Sequence, residues 1–161
     1  MTRREIIEAI RSLPNGVDDL TGGLTDEQLR WRPAPDQWSI LEVCCHLRDS
    51  AEIEGGRIQR LANEDNPFIE AFDQEELARA RNYIGEDPKL VRTALRAYWG
   101  GLAYLLEGLG EGEWRRGGTH QETGPTTIAL RAQLNAHHAH MHIEQMRAIR
   151  EKITQPQIDT E

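Results

Sequence analysis

Apolar residues recur every three or four positions along four stretches of the chain, which is the spacing of amphipathic helices. The first stretch covers residues 3–20, the second 39–63, the third 87–108 and the fourth 125–153. Long helices in this number pack most simply around one shared core. The pattern therefore predicts an all-α protein, a four-helix bundle that forms a single domain over residues 1–161.

Proline and glycine lie inside two of these predicted helices. Pro14 lies within the first helix, where it costs roughly 3 kcal/mol, so we expect a kink or a break there. Gly100 and Gly101 lie in the middle of the third helix and cost about 1 kcal/mol each relative to alanine, which favours a bend or the close approach of a neighbouring backbone. Periodicity predicts that the third helix buries one apolar stripe made of Val91, Ala94, Leu95, Tyr98, Leu102, Leu105 and Leu109.

A long connection separates the second and third helices. Residues 64–87 are acidic and irregular in pattern, with at most a short helix over residues 73–78. Connections of this length without regular structure often serve as crossovers or lids. At the other end of the chain, residues 154–161 are predicted to be a polar tail.

Three histidines have the spacing of a metal site. His138 and His142 are four residues apart in the fourth helix, so their side chains lie one turn apart and can share a divalent ion. His46, in the second helix, is the candidate third ligand. Three imidazoles leave coordination positions open, which is typical of catalytic rather than structural zinc sites. We predict that His138 and His142 face the core. They lie on the face of the fourth helix that also carries Leu134, Met141, Gln145 and Ile149.

The face of the second helix that carries His46 is unusually polar. At roughly 100° per residue it also carries Glu42, Asp49, Ser50 and Arg57. Either this face lines a polar pocket or it is partly exposed to solvent, and we favour the pocket.

We assign candidate roles to these polar residues. Asp49 and Glu42 are the catalytic candidates, although Glu42 also completes a capping-box pattern with Ser39. The candidates for lining the pocket are Ser50, Arg57 and Gln145.

Composition narrows the classes of function. The formal net charge of −8 argues against binding to nucleic acid, because affinity for phosphates comes mainly from clustered lysines and arginines. No apolar run is long enough to span a membrane, and the first residues lack the apolar core of a secretion signal, so we expect a cytoplasmic protein.

The only cysteines, Cys44 and Cys45, are adjacent and unsuited to pairing with each other, and we interpret them as buried and structural. The alternative is a reactive thiol beside the metal.

Two segments of the chain resemble the signatures of a known family, the DinB-like (damage-inducible) four-helix-bundle superfamily. These segments read Trp38-Ser39-x-x-Glu42-x-x-x-His46-Leu47 and His138-x-x-x-His142-x-x-Gln145. The resemblance implies an up-down-down-up bundle, usually a homodimer, in which His46, His138 and His142 bind a divalent ion. Family members of known activity include transferases and isomerases that use low-molecular-weight thiols.

The ligand set alone permits more than one function. A metal held by three imidazoles can activate water, giving a hydrolase, or a thiol, giving a thiol transferase, and either would act on a small-molecule substrate. Imidazole suits several divalent metals, of which we favour zinc or nickel. The alternative is a non-catalytic, metal-binding homodimer. A polar cavity beside the histidines would favour an enzyme. Apolar residues outside the predicted stripes, namely Trp99, Leu106 and Ile84, give modest support to dimer formation.

Overall fold

The computed structural model describes residues 1–155 of the chain, and most of these residues lie in helices. The α-helices within these residues are α1 (Arg3–Thr21), α2 (Asp26–Leu29), α3 (Ile40–Asn63), α4 (Gln74–Ala80), α5 (Pro88–Glu107), α6 (Glu111–Trp114) and α7 (Ile128–Thr154). The strands are β1 (Phe68–Ile69), β2 (Gly117–His120) and β3 (Gly124–Thr127).

Side-chain caps mark where the long helices begin. Ser39 accepts a hydrogen bond from the backbone N–H of Glu42, whose carboxylate accepts one from the Ser39 backbone N–H, so the predicted capping box is formed. Asp87 caps α5, and Pro88 occupies its first turn, as the sequence predicts. Helix α7 begins at Ile128, three residues later than predicted, and its cap is Thr127.

The four long helices form the predicted bundle. Helix α1 packs against α5 and α7, and α3 packs against the same two helices, so α5 and α7 each lie between α1 and α3. Their inward faces share one apolar core. The connection between α3 and α5 contains β1, α4 and a short 3-10 turn (Tyr83–Gly85), and both α4 and this turn pack on α3. The predicted short helix in this connection is confirmed.

A small sheet covers one end of α7. Strand β2 pairs in parallel with β1 and antiparallel with β3, with Gly118 opposite Thr126. A side chain at Gly118 would collide with the carbonyl oxygen of Pro67, so the strands can approach this closely only with glycine there. The periodicity of the sequence did not indicate these strands, because they are only two to four residues long and β1 pairs with a strand about fifty residues away.

The structure rules out part of two expectations about the helix interiors, the break at Pro14 and the close approach at Gly100 and Gly101. Helix α1 continues through Pro14, which is buried in the core, so packing outweighs the lost backbone hydrogen bond. Helix α5 is also continuous, and no atom lies within 4 Å of a Cβ built on Gly100 or Gly101. These glycines therefore do not permit a close approach within the described chain.

The buried stripe of α5 is rotated relative to the prediction. Trp99 is fully buried and donates its indole N–H to the backbone oxygen of Leu47, whereas Tyr98 is 39% exposed. Leu106 is also fully buried. The indole both fills the space between α3 and α5 and finds a polar partner there. Trp99 and Leu106 are therefore core residues, and the prediction that they were surplus apolar surface was wrong.

Two findings concern the ends and the exterior of the chain. The predicted polar tail lies outside the described residues from position 156 onward, and Thr154 still belongs to α7. Among the helices of residues 1–155, none combines the length and the apolar character that crossing a membrane requires.

Candidate metal centre

His46 lies on the side of α3 that faces α7. Its side chain is buried, with its ring centroid 5.1 Å from that of Trp38 and 4.7 Å from that of His142. The hydroxyl of Ser50, one turn further along α3, is 3.4 Å from Nε2 of His46. Two histidines from helices almost one hundred residues apart in sequence are therefore in contact, as predicted.

His142 is buried on α7 and is oriented by its own helix. Its Nδ1 is 2.8 Å from Oε1 of Gln145, an oxygen that can only accept a hydrogen bond. This contact selects the tautomer with a proton on Nδ1, which leaves the lone pair on Nε2. Gln145 therefore holds the ring in a state that can bind a metal.

His138 lies at the edge of the site. Its ring centroid is 6.2 Å from that of His142, and its side chain is exposed. The buried face of α7 is made by Ala132, Ala136 and Ala139 in its middle and by Ile128, Met146 and Ile149 nearer its ends, whereas Leu134 and Met141 are exposed. The prediction that His138, Leu134 and Met141 face the core was therefore wrong. At roughly 100° per residue, four residues separate His138 from His142 by about 40°, which places His138 nearer to solvent.

All three imidazoles favour the neutral, metal-binding form. Burial, together with the nearby His142 and His138, lowers the pKa of His46 to about 3. Burial also lowers the pKa of His142, against the opposing effect of Gln145, and lowers the pKa of His138, against the opposing charge of Glu54. Neutral imidazole is the form that binds divalent metals.

The three histidine rings are neighbours, but their nitrogen atoms do not converge on a common position for a metal ion. Within residues 1–155, no set of three His, Cys, Asp or Glu side chains is already arranged to hold a metal ion. His46 and His142 form the inner pair, and His138 is the exposed neighbour. The donor chemistry suits a divalent ion, whereas the arrangement of the third ring differs from a closed three-ligand site.

The carboxylate of Glu42 is fully engaged away from the histidines. Arg32 donates two hydrogen bonds to it, at 2.7 and 2.9 Å, and the Ser39 backbone N–H donates another at 3.1 Å. Burial raises the pKa of Glu42, but the bonds from Arg32 and Ser39 outweigh burial and leave the pKa below its ordinary value. The carboxylate therefore stays charged as a cap and ion-pair partner.

Asp49 is also held by other groups. Arg48 and Arg81 contact one carboxylate oxygen, at 2.8 and 3.0 Å, and the hydroxyl of Tyr83 donates to the other. Asp49 is only 1% exposed. The expected hydrogen bond from Asp49 to a histidine is not among these contacts, and the residue instead anchors the 3-10 turn to α3.

A second polar cluster lies further along α3. The carboxylate of Glu54 accepts hydrogen bonds from Arg57, from Asn135 and, through two nitrogens, from Arg131. Burial raises the pKa of Glu54, but Arg131 and Arg57 outweigh this effect and lower the pKa below its usual value.

Arg57, the candidate for binding a substrate, thus pairs with Glu54 and also donates to the backbone oxygen of Glu70. The sequence does not predict the cluster around Glu54, because Arg131 and Asn135 are about eighty residues away from it. Only the mixed polarity of the α3 face could have indicated it.

His120 is buried at the end of β2. Its Nδ1 accepts from the backbone N–H groups of Glu122 and Thr123, at 3.2 and 3.4 Å. Turn chemistry therefore accounts for this histidine.

Both cysteines are buried and free, as the structural interpretation predicted. Burial raises the pKa of Cys44 to about 12, and burial together with Glu86 raises the pKa of Cys45 further. A thiol that stays protonated at neutral pH is a poor nucleophile.

A cleft lined by both polar and apolar residues opens beside His142. It encloses about 350 Å³ and is bordered by Gln145 and Lys152 of α7 and by Gln37 and Trp38 of the loop before α3. The volume suits a small molecule. A second cleft of about 380 Å³ lies on the other side of Trp38. A small molecule can therefore reach His142 from solvent.

Comparison with known proteins gives related chains and a related fold. The family model described as the DinB superfamily matches residues 3–146. A relative from Geobacillus thermodenitrificans (strain NG80-2) is 32% identical over 116 residues, which cover 70% of this chain and 64% of that protein. A relative from Geobacillus kaustophilus (strain HTA426) is 28% identical over 153 residues, 92% of this chain and 84% of that one. Both carry the name "Putative metal-dependent hydrolase".

The fold is also similar to a solved structure. YfiT from Bacillus subtilis, described as a probable metal-dependent hydrolase with an unusual four-helix bundle topology, superposes with a TM-score of 0.87. The match covers 96% of this chain and 89% of YfiT, at 22% sequence identity. Identity this low supports the shared fold and nothing further.

Proposed function

This chain belongs to the DinB superfamily, and on that basis we propose that it is a metal-dependent hydrolase of a small molecule, with the metal held by His46, His138 and His142. The names of the Geobacillus relatives support metal dependence and hydrolysis as the general chemistry. The metal and the substrate are proposals for this chain.

The contact between His46 and His142 carries the proposal. Two buried imidazoles from different helices lie 4.7 Å apart between centroids, and the pKa of each is lowered so that both are neutral at pH 7. Burying two polar rings side by side is costly without a compensating partner. A shared cation supplies that partner, and rotation of the exposed His138 supplies a third nitrogen.

The chemistry follows from an incomplete protein ligand set. A divalent ion, for which we propose zinc or nickel, would lower the pKa of water or of a thiol toward neutrality. Gln145 fixes the tautomer of His142, while Trp38 covers His46 and borders the cleft. Gln37 and Lys152 line the same cleft and are placed to bind polar groups of a substrate.

Glu42 and Asp49 position the site in this proposal, and neither transfers protons. Each carboxylate is saturated by arginine and other donors, and neither has a hydrogen bond to a histidine in the described contacts. Glu42 begins α3 one turn before His46, and Asp49 secures the 3-10 turn. Ser50 is the polar side chain nearest to His46 and lines the site from the α3 side.

Metal analysis followed by substrate profiling tests the proposal. We expect about one divalent ion per chain after purification without chelator, and metal-dependent hydrolysis of members of a panel of small esters, amides and lactams. His46→Ala should abolish both, whereas His140→Ala, which changes an exposed histidine of the same tract, should leave both unchanged. Failure of the wild-type protein to retain any divalent metal would refute the proposal.

Thiol transfer is the alternative reaction for the same ligands. Incubation with low-molecular-weight thiols and electrophiles, followed by mass spectrometry, separates it from hydrolysis. A thioether product with no hydrolysis product would assign transfer. Stoichiometric metal with neither product would favour the non-catalytic metal-binding protein.

We also propose that the chain is a cytoplasmic homodimer. The buried Trp99 and Leu106 no longer support this proposal, and Ile84 is half-buried. The outer face of α5 supports it instead, because Leu90 and Tyr104 are 68% and 81% exposed and Gly101 leaves room between them. Light scattering should report a dimer that Tyr104→Glu disrupts. A monomeric wild type at micromolar concentration would refute it.

A further inference from the structure

A second polar contact joins the helices that carry the histidines. His46 meets His142 at one level of the bundle, and Glu54 meets Arg131 and Asn135 at another. Residue numbers increase along α3 between these levels and decrease along α7, so the two helices run antiparallel here. The polar face predicted for α3 is therefore shared with α7.

The spacing of the two levels is consistent with a fixed register. Glu54 is eight residues after His46, which is about 12 Å along α3 at 1.5 Å per residue. Asn135 is seven residues before His142, about 11 Å along α7. Because the two separations are similar, the contact of Glu54 with Asn135 and the contact of His46 with His142 are compatible with the same alignment of α3 and α7. A slide of either helix, or a rotation about its axis, would break the Glu54 contacts and separate the imidazoles together.

The Glu54 contacts are buried, charged and directional, so they can hold α3 and α7 in this register. The carboxylate is 5% exposed, and Arg131 meets it through two nitrogens, one at 3.0 Å, while Asn135 donates at 3.2 Å. Paired donation from a guanidinium fixes direction as well as distance. The other buried residues of α7 around Asn135 are Ala132, Ala136 and Ala139, so Glu54 meets the polar groups of α7 in this region.

We propose that Glu54 is a positioning residue for the metal centre, and that its carboxylate sets the register of α7 against α3 so that His142 stays beside His46. The inference rests on the proposed function for its metal, but the geometry of the two rings exists without one. Arg57 extends the same contact to the connection, since it donates to both Glu54 and the backbone oxygen of Glu70.

Glu54→Gln is the informative change. The amide keeps the shape and one oxygen acceptor but loses the charge that holds two guanidiniums. Its matched control is Trp99→Phe, which removes a buried hydrogen bond between α5 and α3 and changes no residue of α7. Both variants are compared at a temperature at which each is fully folded.

Two measurements separate positioning from general stability. In metal-free protein, nuclear Overhauser contacts between the ring protons of His46 and His142 should be present in the wild type and in Trp99→Phe, and lost in Glu54→Gln. Cobalt(II) titration should show a Kd raised at least about tenfold in Glu54→Gln, the scale seen when groups that orient ligands are removed, with a changed d–d spectrum. Trp99→Phe should bind cobalt as the wild type does.

If Glu54→Gln loses stability but keeps the ring contacts and the cobalt affinity, Glu54 is structural only and the inference is overturned. If no variant binds cobalt but Glu54→Gln still loses the ring contacts, the positioning role stands and the proposed function fails. Should Glu54→Gln not fold, Asn135→Ala removes a single neutral donor and should give the same changes at smaller size. Unchanged ring contacts in Asn135→Ala would then overturn the inference.

Discussion

Helices α5 and α7 both pack between α1 and α3, yet their buried faces differ in chemistry. The buried face of α5 is apolar: Pro88, Val91, Leu95, Trp99, Leu102, Ala103 and Leu106. The buried face of α7 also has apolar residues, namely Ile128, Ala132, Ala136, Ala139, Met146 and Ile149, but it includes the polar Asn135 and His142. We call the contact between α3 and α5 the apolar seam and the contact between α3 and α7 the polar seam.

Helix α3 takes part in both seams. We infer that its contact with α5 mainly stabilises the fold and that its contact with α7 carries the proposed function. The apolar seam removes large side chains such as Trp99 from water, which is the main favourable contribution to folding. The polar seam buries imidazoles and charged groups, which cost free energy unless they are paired. The buried imidazoles of His46 and His142 therefore need a compensating partner, and a bound metal ion in the polar seam would be that partner.

The largest expected effect is on metal binding in the polar seam. His142→Ala removes one of two buried ligands and the ring that Gln145 orients, so stoichiometric binding of zinc or nickel should be lost. Metal content after dialysis, measured by plasma mass spectrometry, checks this. His140→Ala on the same helix is the control and should retain wild-type content. Retention of metal by His142→Ala would break the link between the polar seam and metal.

The next effect concerns stability in the apolar seam. Trp99→Ala should lower the free energy of unfolding by about 3 to 5 kcal/mol, the usual cost of removing a buried aromatic side chain. Urea denaturation of metal-free protein measures it. Metal affinity of the folded fraction should be unchanged, because Trp99 supplies none of the proposed ligands and its indole bonds to the backbone of α3. A loss below about 1 kcal/mol would contradict the proposed division between the seams.

The polar seam should make stability depend on pH. An unfolded His46 titrates near 6.5, while in the fold its pKa is about 3, so the unfolded state binds protons first as pH falls. Stability should therefore be full above pH 6.5 and decline as pH falls toward 3. Denaturation of metal-free protein between pH 7 and 5, where Glu42 and Glu54 stay charged, measures the decline. His46→Gln should flatten the curve, and an equal slope in both proteins would contradict this assignment.

The smallest effect tests the role given to Glu42. Glu42→Gln weakens the cap of α3 and its pairing with Arg32, so thermal unfolding should show a loss of about 1 kcal/mol. Metal affinity should stay within about twofold of the wild type, because its carboxylate contacts no histidine. Loss of hydrolysis at full metal content would instead give Glu42 a catalytic role.

The sequence predicted much of the bundle because local chemistry determines where its helices begin and end. Ser39, Asp87 and Pro88 favour helix starts wherever they occur, and the structure uses all three. The face of α7 was predicted wrongly because Leu134 and Met141 outweighed the alanines in the apolar pattern. In the structure α7 packs closely through those alanines, and the larger side chains face outward.

The site was predictable in part for a similar reason. The pairing of His46 with a histidine of the last helix follows from helical spacing together with the family signatures. The contacts of Glu54 with Arg131 and Asn135 depend on how two distant helices align, which no local pattern specifies. The same holds for Asp49, whose buried partner Tyr83 lies in the irregular connection.

The central claim is that His46, His138 and His142 bind one divalent ion. X-ray absorption spectroscopy of the zinc-loaded protein tests it most directly, because it reports the identity and distance of ligand atoms. The account predicts three imidazole nitrogens at about 2.0 to 2.1 Å with at least one further light atom, and loss of imidazole scattering in His138→Ala. A sulfur ligand at about 2.3 Å, or a spectrum unchanged in His138→Ala, would contradict it.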